Sequence, residues 1–397
     1  MAHQTNTDIV IVGGGAVGAT LARFLVKQGQ HSVTLIDANQ FSRNPDSHPG
    51  FDARVIALAK RTELALTQLG VDLKKAHGTP IRHILVSDQG YIGQTRLHAS
   101  DYQLESFGQV VGIQALGHQL FPAAQRGLTV LEGLTVDSVT QQVGSITLQL
   151  SDGSDLTARL LVIADGGRSA LADMLKFTRS SNDYGQSAVI ANVRMSEPHN
   201  GWAHERFTAN GPLALLPFAE GSSNEYANCY SLVWTLSHEQ ADAAMQWSEP
   251  VFSERLQAQL GYRHGLINDV SQRYCYPLAL NTISDFTSHR VVVVGNSAQA
   301  LHPIAGQGFN LGLRDVLDLA DTLDGVSDPG AFAILHQYRQ QRAADKASTI
   351  GLTDGLVRLF SNRFGPLVAG RNAGLLAMEF CSGLSQKFVR QTMGFGR

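Results

Sequence analysis

Four consecutive valines, Val291 to Val294, run into Gly295 and then into a loop carrying Pro303, Gly306 and Gly308. An unbroken apolar run that stops at glycine predicts a strand buried on both faces and ending at a ligand. Beyond the loop the period changes. Phe309, Leu313, Val316, Leu317, Ala320 and Leu323 fall on one helical face, with Arg314, Asp315, Asp318 and Asp321 elsewhere, which predicts an amphipathic helix. A helix that begins behind a glycine loop turns unpaired N–H groups and its positive dipole end toward the loop, so the ligand there should carry negative charge.

Two more stretches repeat this strand-then-glycine pattern. Asp8 to Val12 enters Gly13-Gly14-Gly15-Ala16-Val17-Gly18, Val17, Leu21, Phe24 and Leu25 follow at helical spacing up to Gly29, and the strand Val33 to Ile36 ends in Asp37. That βαβ order predicts dinucleotide binding. Gly13 allows the tight turn, Gly15 lets a pyrophosphate approach the backbone, Gly18 lets helix and strand pack, and Asp37 accepts from a ribose hydroxyl. Leu160 to Ala164 then ends at Asp165-Gly166-Gly167-Arg168-Ser169, which reads either as an ordinary Asp-Gly turn or as a ligand edge. Phe51 to Leu58 reads as a capped helix start, with Arg54 either on its solvated face or turned back to the dinucleotide.

Elsewhere the period is two. Ile81 to Val86 and Tyr91 to Leu97 form an expected hairpin, and Ser187 to about Leu236 alternates as antiparallel strands. The segment from Ile350 is helical in pattern, apolar and somewhat basic, with Arg358, Arg363, Arg371, Lys387 and Arg390 against Asp354 and Glu379. The expected fold is α/β: a Rossmann-like nucleotide domain (1–78, 100–180 and 285–345), an inserted mostly antiparallel β-sheet substrate domain (79–99 and 181–284) and a helical C-terminal segment (346–397).

Composition narrows the function. The 397 residues are 43% hydrophobic and 16% charged, enough for more than one ordinary core. A formal net charge of −3 offers no basic field for nucleic acid. Cys229, Cys275 and Cys381 lack metal-ligand spacing, and the chain starts without a basic-then-apolar leader, so a reducing cytoplasm is expected. No run reaches transmembrane length, which leaves peripheral contact with the inner membrane as the membrane option. No metal site is expected: His204-Glu205 lacks the second histidine of a zinc helix, and His302 reads equally as a loop residue or a proton donor.

GGGAVG, ADGGRS and GNSAQALHPIAGQGFNLGLRD resemble the three motifs of the single-component flavin aromatic hydroxylases. FDARVIAL, ERFTANGPLALLP, SLVW and TDGLVRLFSNRFGPLVAGRNAGLL resemble the ubiquinone-biosynthesis branch of that family. The resemblance implies FAD as cofactor and NAD(P)H as a transient co-substrate, since no second βαβ fingerprint is present. FAD is expected on Gly13, Gly14, Gly15, Gly18, Asp37, Arg54, Gln109, Asp165, Asn296, Gly306, Gly308 and Asn310, with Pro303, Gly306 and Gln307 at the reacting end. Two positions depart from the family: Asn296 stands where Asp is usual, and Gln299 where His is usual. Near Gln109 the family's acid and Arg are replaced by Gly112 and Gln114. The implied reaction is hydroxylation of a polyprenylated phenol, expected to be 2-polyprenyl-6-methoxyphenol; the alternatives are another ring position or a non-catalytic flavoprotein subunit. Strands such as Gly211 to Phe218 should line an apolar passage for the prenyl chain. The segment after Ile350 should meet a membrane or a partner, the candidates being other enzymes of the pathway and a second copy of the chain.

Overall fold

Strand β1 (Gln4–Val12) is buried on both faces at Ile9, Val10 and Ile11, and its neighbours in the sheet arrive only after crossovers. In the computed structural model the described residues are 4–40, 54–121, 126–167, 169–219, 227–360 and 364–395. After β1 come α1 (Ala16–Gln28) and β2 (Val33–Asp37), then β3 (Val55–Ala59) and α2 (Lys60–Gln68). Next are β4 (Thr79–Pro80), β5 (His83–Asp88), β6 (Gln94–His98), β7 (Gly108–Gly112) and α3 (Ile113–Leu120). β8 (Leu128–Glu132), β9 (Val136–Gln141), β10 (Ile146–Leu150), β11 (Asp155–Ile163) and α4 (Ala170–Met174) complete the first half.

The second half opens with the long β12 (Arg179–Met195), then β13 (Trp202–Thr208), β14 (Gly211–Pro217) and β15 (Cys229–Ser237). Helices α5 (His238–Gln246) and α6 (Glu249–Leu260) precede β16 (Ile267–Val270), β17 (Tyr274–Ile283), β18 (Thr287–Ser288), β19 (Val291–Val293) and β20 (Gln299–Ala300). Four helices finish the chain: α7 (Gln307–Leu323), α8 (Phe332–Phe360), α9 (Gly365–Phe380) and α10 (Ser382–Thr392).

Two large sheets result. The first runs β18-β19-β11-β1-β2-β8, with β19, β11, β1, β2 and β8 parallel and β9 and β10 added along the start of β11. The second runs β20-β17-β12-β15-β14-β13-β5-β6, antiparallel except where β13 lies parallel to β5. Strand alternation divides its two faces. Leu213, Leu215, Leu232 and Trp234 turn to α5 and α6, where Phe252 and Leu256 cover them. Ala203, Phe207, Ala214, Leu216 and Val233 turn the other way, toward the loop before α7 and the C-terminal helices.

The segment expected to start a helix differs. Residues 51–53 lie outside the described residues, and Val55–Ala59 is a strand paired antiparallel to β7 in a small third sheet. Val55 and Ile56 are β-branched and suit that pairing; the helix starts only at Lys60. β4 joins the same small sheet, through β7. α8 is continuous through residues 345 and 346, so the C-terminal helices begin at Phe332.

Two groups of charged side chains are buried. On α7, Arg314, Asp315 and Asp318 are buried because α8 supplies their partners. On α9, Arg371 is no surface cation. It grips Asp88 at the end of β5 through Nε (2.7 Å) and Nη2 (3.0 Å), with both side chains almost wholly buried. Asn372 adds a 2.8 Å bond to the same carboxylate and accepts from Gly93 N–H, and Thr95 Oγ1 donates to Leu375 O, so the β5–β6 hairpin is clipped to α9. Arg363 lies outside the described residues, and Arg358 is paired with Asp354 on its own helix. Removing one partner of a buried pair strands the other charge. Arg371→Ala should therefore cost about 3–5 kcal/mol in denaturant unfolding, and a loss below about 1 kcal/mol would show that the clip carries no stability.

Candidate active site

The parallel order of the first sheet brings three strand ends together. β1 delivers the glycine loop, β11 delivers Asp165, and β19 delivers Gly295 and Asn296. Gly13 has φ +107°, and a side chain on it would strike the carbonyl of Ala164 at 2.4 Å. Gly18 is equally confined, 1.9 Å from the Gly13 carbonyl. Gly15 is different: a Cβ there would meet nothing within 4 Å. The fold therefore needs the first and third glycines for its own packing and leaves the second facing space at the N-terminus of α1. Gly14 N–H donates to Asp37 Oδ2 (2.5 Å), while Asp37 Oδ1 accepts from Asn39, so the acid at the end of β2 also holds the loop in shape.

Asp165 opens on the cleft yet is crowded by protein behind it. Burial raises its pKa, opposed by hydrogen bonds from Ser169 Oγ (2.8 Å) and Ser297 Oγ (3.0 Å). Ser297 also accepts from Gly166 N–H (2.8 Å), which ties the second glycine motif to the third. Sequence reading missed Ser297; its signal was a hydroxyl beside Asn296 at a strand end. Asn296 is exposed, with its carbonyl beside Gly167. Arg168 lies outside the described residues.

Pro303 starts a short turn, and Gly306 (φ +60°) closes it against Ala57 before α7 begins. Gly308, in the first turn of α7, has nothing within 4 Å of a built Cβ, so the N-terminus of this helix is also open. A cofactor with a pyrophosphate fits these two open helix ends. Asn310 is turned to the protein: it donates to Ala57 O (2.8 Å) and Gly306 O (2.7 Å) and accepts from Ala59 N–H (2.8 Å), stapling the loop to β3. Gln307 donates to Thr392 O at 3.2 Å. Gln109 donates to Glu63 (3.2 Å) with its oxygen over Gly78, and Arg54 lies 5.8 Å from the ring of Tyr276.

His302 is fully buried. Its Nδ1 accepts from Ile304 N–H (3.2 Å), its ring stands edge-on to Tyr184, and burial pushes its pKa down to about 4, so a neutral imidazole holds the loop. Gln299, at the family's histidine position, donates to Asp315 Oδ2 (2.7 Å), and that carboxylate also accepts from Gly295 N–H (3.1 Å). Among the described residues no group of three or more His, Cys, Asp or Glu is arranged to hold a metal ion.

Beyond this loop lies a cavity of about 580 Å³. Pro303, Gly306 and Gln307 line it together with Leu356, Leu375 and Phe388 from α8, α9 and α10 and with Met393 just past α10. Its wall is the second sheet's open face, including Gly211–Pro217 strand residues Ala214 and Leu216. A smaller hollow of about 340 Å³, near Met245, Glu249 and Arg273, shares none of these residues.

Comparison with known proteins agrees with this geometry. Residues 6–350 match the FAD binding domain family. The chain is 33% identical to a ubiquinone hydroxylase, UbiL, of Rhodospirillum rubrum, covering 98% of this chain and 89% of the relative. It is 28% identical to the 3-demethoxyubiquinol 3-hydroxylase of Escherichia coli, covering 98% of both. The p-nitrophenol 4-monooxygenase PnpA of Pseudomonas putida shares the fold, with TM-score 0.77 over 99% of each chain at 16% identity.

Two measurements test the site. Gly15→Leu should fold, since its Cβ meets no atom, yet lose bound FAD because the new side chain fills the open helix end; full flavin absorbance in that variant would contradict the assignment of this loop. The second uses pH. Burial depresses His302 to about 4, His264 to about 4 and His204 to about 3, the last two also feeling Arg263. Between pH 6.5 and 4 the unfolded chain takes up protons that the folded chain refuses, so stability should fall on acidification by up to about 1.4 kcal/mol per pH unit for each group. His302→Gln should flatten denaturant midpoints measured from pH 7 to 5; an unchanged slope would show that His302 titrates normally.

Proposed function

The chain belongs to the FAD binding domain family and is an FAD-dependent monooxygenase, and from that premise we propose that it hydroxylates a polyprenylated phenol in ubiquinone biosynthesis, with 2-polyprenyl-6-methoxyphenol as the first choice of substrate. The observation that carries this reading is the cavity: about 580 Å³, walled almost wholly by apolar side chains, and continuous with the Pro303–Gln307 loop. A phenol ring with a short hydrocarbon chain matches that shape and chemistry. The names of the relatives from Rhodospirillum and Escherichia support the same class of substrate.

In this reading Gly13, Gly14, Gly15, Gly18 and Asp37 hold the nucleotide half of FAD, Asp165 and Asn296 meet its middle, and Gly306 and Gly308 lie at the ring. Arg54, Gln109 and Asn310 belong to the same FAD site, Asn310 also holding Gly306 O through its amide. Bound FAD supplies the redox chemistry, taking electrons from NAD(P)H and activating dioxygen. The chain's own contributions are three. The open N-terminus of α7 favours negative charge at its first turn. Pro303, Gly306 and Gln307 give the substrate ring a fixed floor. The apolar wall of β5, β6, β13 and β14 excludes water from the reacting end.

The lining residues that reach the surface support a route for the remaining chain. Leu367 and Leu384 line the cavity and are also 41% and 50% exposed, and Phe364 and Phe380 beside them are 64% and 82% exposed. Lys387 and Arg390 on α10 are exposed as well. Among the described residues no helix is long and apolar enough to cross a membrane. This apolar rim with basic neighbours suits a bilayer surface, from which a prenyl chain enters between α9 and α10.

Turnover with phenols of increasing prenyl length tests the reading. Each methylene removed from water contributes about 0.8 kcal/mol, close to fourfold in affinity. KM should fall on the order of tenfold or more over the first isoprene unit and then level off as the cavity fills. A KM independent of chain length would contradict a prenyl passage, and oxygen found at another ring carbon would assign the sister reaction.

A further inference from the structure

The cavity wall contributed by the second sheet contains one acid. Reading across the strands, Thr95, Val86, Glu205, Ala214 and Val233 are successive cross-strand neighbours on the open face. Along β13, Glu205 is flanked on the same face by Ala203 and Phe207, and all of these line the cavity. Among the described lining residues Glu205 is the sole carboxylate. A carboxylate is expensive on an apolar wall, and a departure from the hydrophobic pattern in an otherwise consistent strand marks a functional position.

Its neighbours orient it. Ala203 packs in the cluster that contains Ala57, and Ala57 abuts Gly306. Phe207 packs in the cluster that contains Ile304. Glu205 is thus bracketed by residues that reach the two ends of the Ile304–Gly306 turn. Ala214, directly opposite it on β14, is small and leaves room beside the carboxylate. Most polar lining groups are bonded within the protein: Asn310 to Ala57 and Gly306, Arg371 to Asp88, Thr95 to Leu375 O, Gln307 to Thr392 O and Thr392 to Phe388 O, whereas His204 Nδ1 has no hydrogen-bond partner among the described residues.

We infer that Glu205 accepts the hydroxyl hydrogen of the phenol, and that this bond sets which ring carbon faces the Pro303–Gln307 loop; the inference rests on the phenol reading above. A carboxylate offers about four lone-pair directions, so a phenol O–H adds to whatever protein contacts Glu205 keeps. A hydrogen bond to a charged acceptor in a low-dielectric pocket is strong and directional, and it raises electron density in the ring that is to be hydroxylated. No bond is made or broken at Glu205. The apolar wall then binds the chain, and Glu205 fixes the rotation of the ring.

The test compares a short-chain prenylated phenol with its methyl ether, which has the same shape but no hydroxyl hydrogen. Binding to FAD-loaded protein is read from the flavin spectrum, and product formed per NAD(P)H consumed is measured alongside. Wild type should bind the phenol roughly tenfold to a hundredfold more tightly than the ether. Glu205→Leu should bring that ratio close to one and lower the product formed per NAD(P)H. Glu205→Gln, which keeps a carbonyl acceptor, should retain part of the preference. Equal ratios and equal coupling in all three proteins would overturn the role of Glu205 while leaving the phenol reading intact. A wild type that neither binds the phenol nor consumes NAD(P)H in response to it would overturn both. Should Glu205→Leu fail to retain FAD, Glu205→Gln and the wild-type phenol-to-ether ratio still decide, since equal wild-type affinities contradict the inference directly.

Discussion

Asp315 has no solvent exposure, and the shape of the cofactor loop depends on it. One oxygen accepts from Gly295 N–H and Gln299, at the end of β19 and on β20, and the other from Arg342 Nε and Nη2 on α8. Burial alone would push this carboxyl up; Lys346 and Arg342 outweigh it and hold the group below the usual range, hence ionised. Lys346 is itself pushed down to about 8 by burial, with Asp315 opposing the shift. Arg342 reaches on to Asp318 and Asp345, and Arg314 joins Asp345 and Thr349. Such a cluster adds little net stability over an apolar core, yet it permits one arrangement of strand end, loop and two helices. Gly295, Val17 and Gly312 pack where that arrangement brings α1 and α7 together, so the two open helix ends share one fixed spacing.

The same division of labour recurs at the cavity. Charge is used where elements must be held in register, at Asp88–Arg371–Asn372 and at Asp315, and mostly apolar side chains line the cavity. The β5–β6 hairpin, clipped to α9, closes one flank of the cavity, and α8 closes another with Leu352, Leu356 and Leu359. Along β13, Ala203, Glu205 and Phe207 share the face that lines the cavity, as strand alternation requires.

What was legible beforehand was local in the chain. A valine run ending in glycine, a GxGxxG turn and an acid after the second strand each lie within about thirty residues, and backbone geometry alone relates their parts. What was missed depends on distant partners. The burial of α7's charges was not legible because Asp315 and its partner Arg342 stand 27 residues apart in sequence. Arg371 read as a surface cation because Asp88 lies 283 residues away. Val55–Ala59 read as the start of a helix because the pairing that makes it a strand comes from Gly108–Gly112. Asn310 adds a second role that its motif position did not suggest: its amide holds the backbone that shapes the loop.

We propose that the loop held by Asp315 carries the cofactor and opens into an apolar cavity that receives a phenol ring and leads its chain out between α9 and α10. A crystal structure of the protein with FAD and a phenol bearing a short prenyl chain tests it most directly. The expected result is the pyrophosphate at Gly15, the phenol ring against Pro303–Gln307, and the chain running past Leu356 and Leu375 toward Leu384. A ring bound elsewhere, or a chain leaving by a route that avoids α9 and α10, would contradict it.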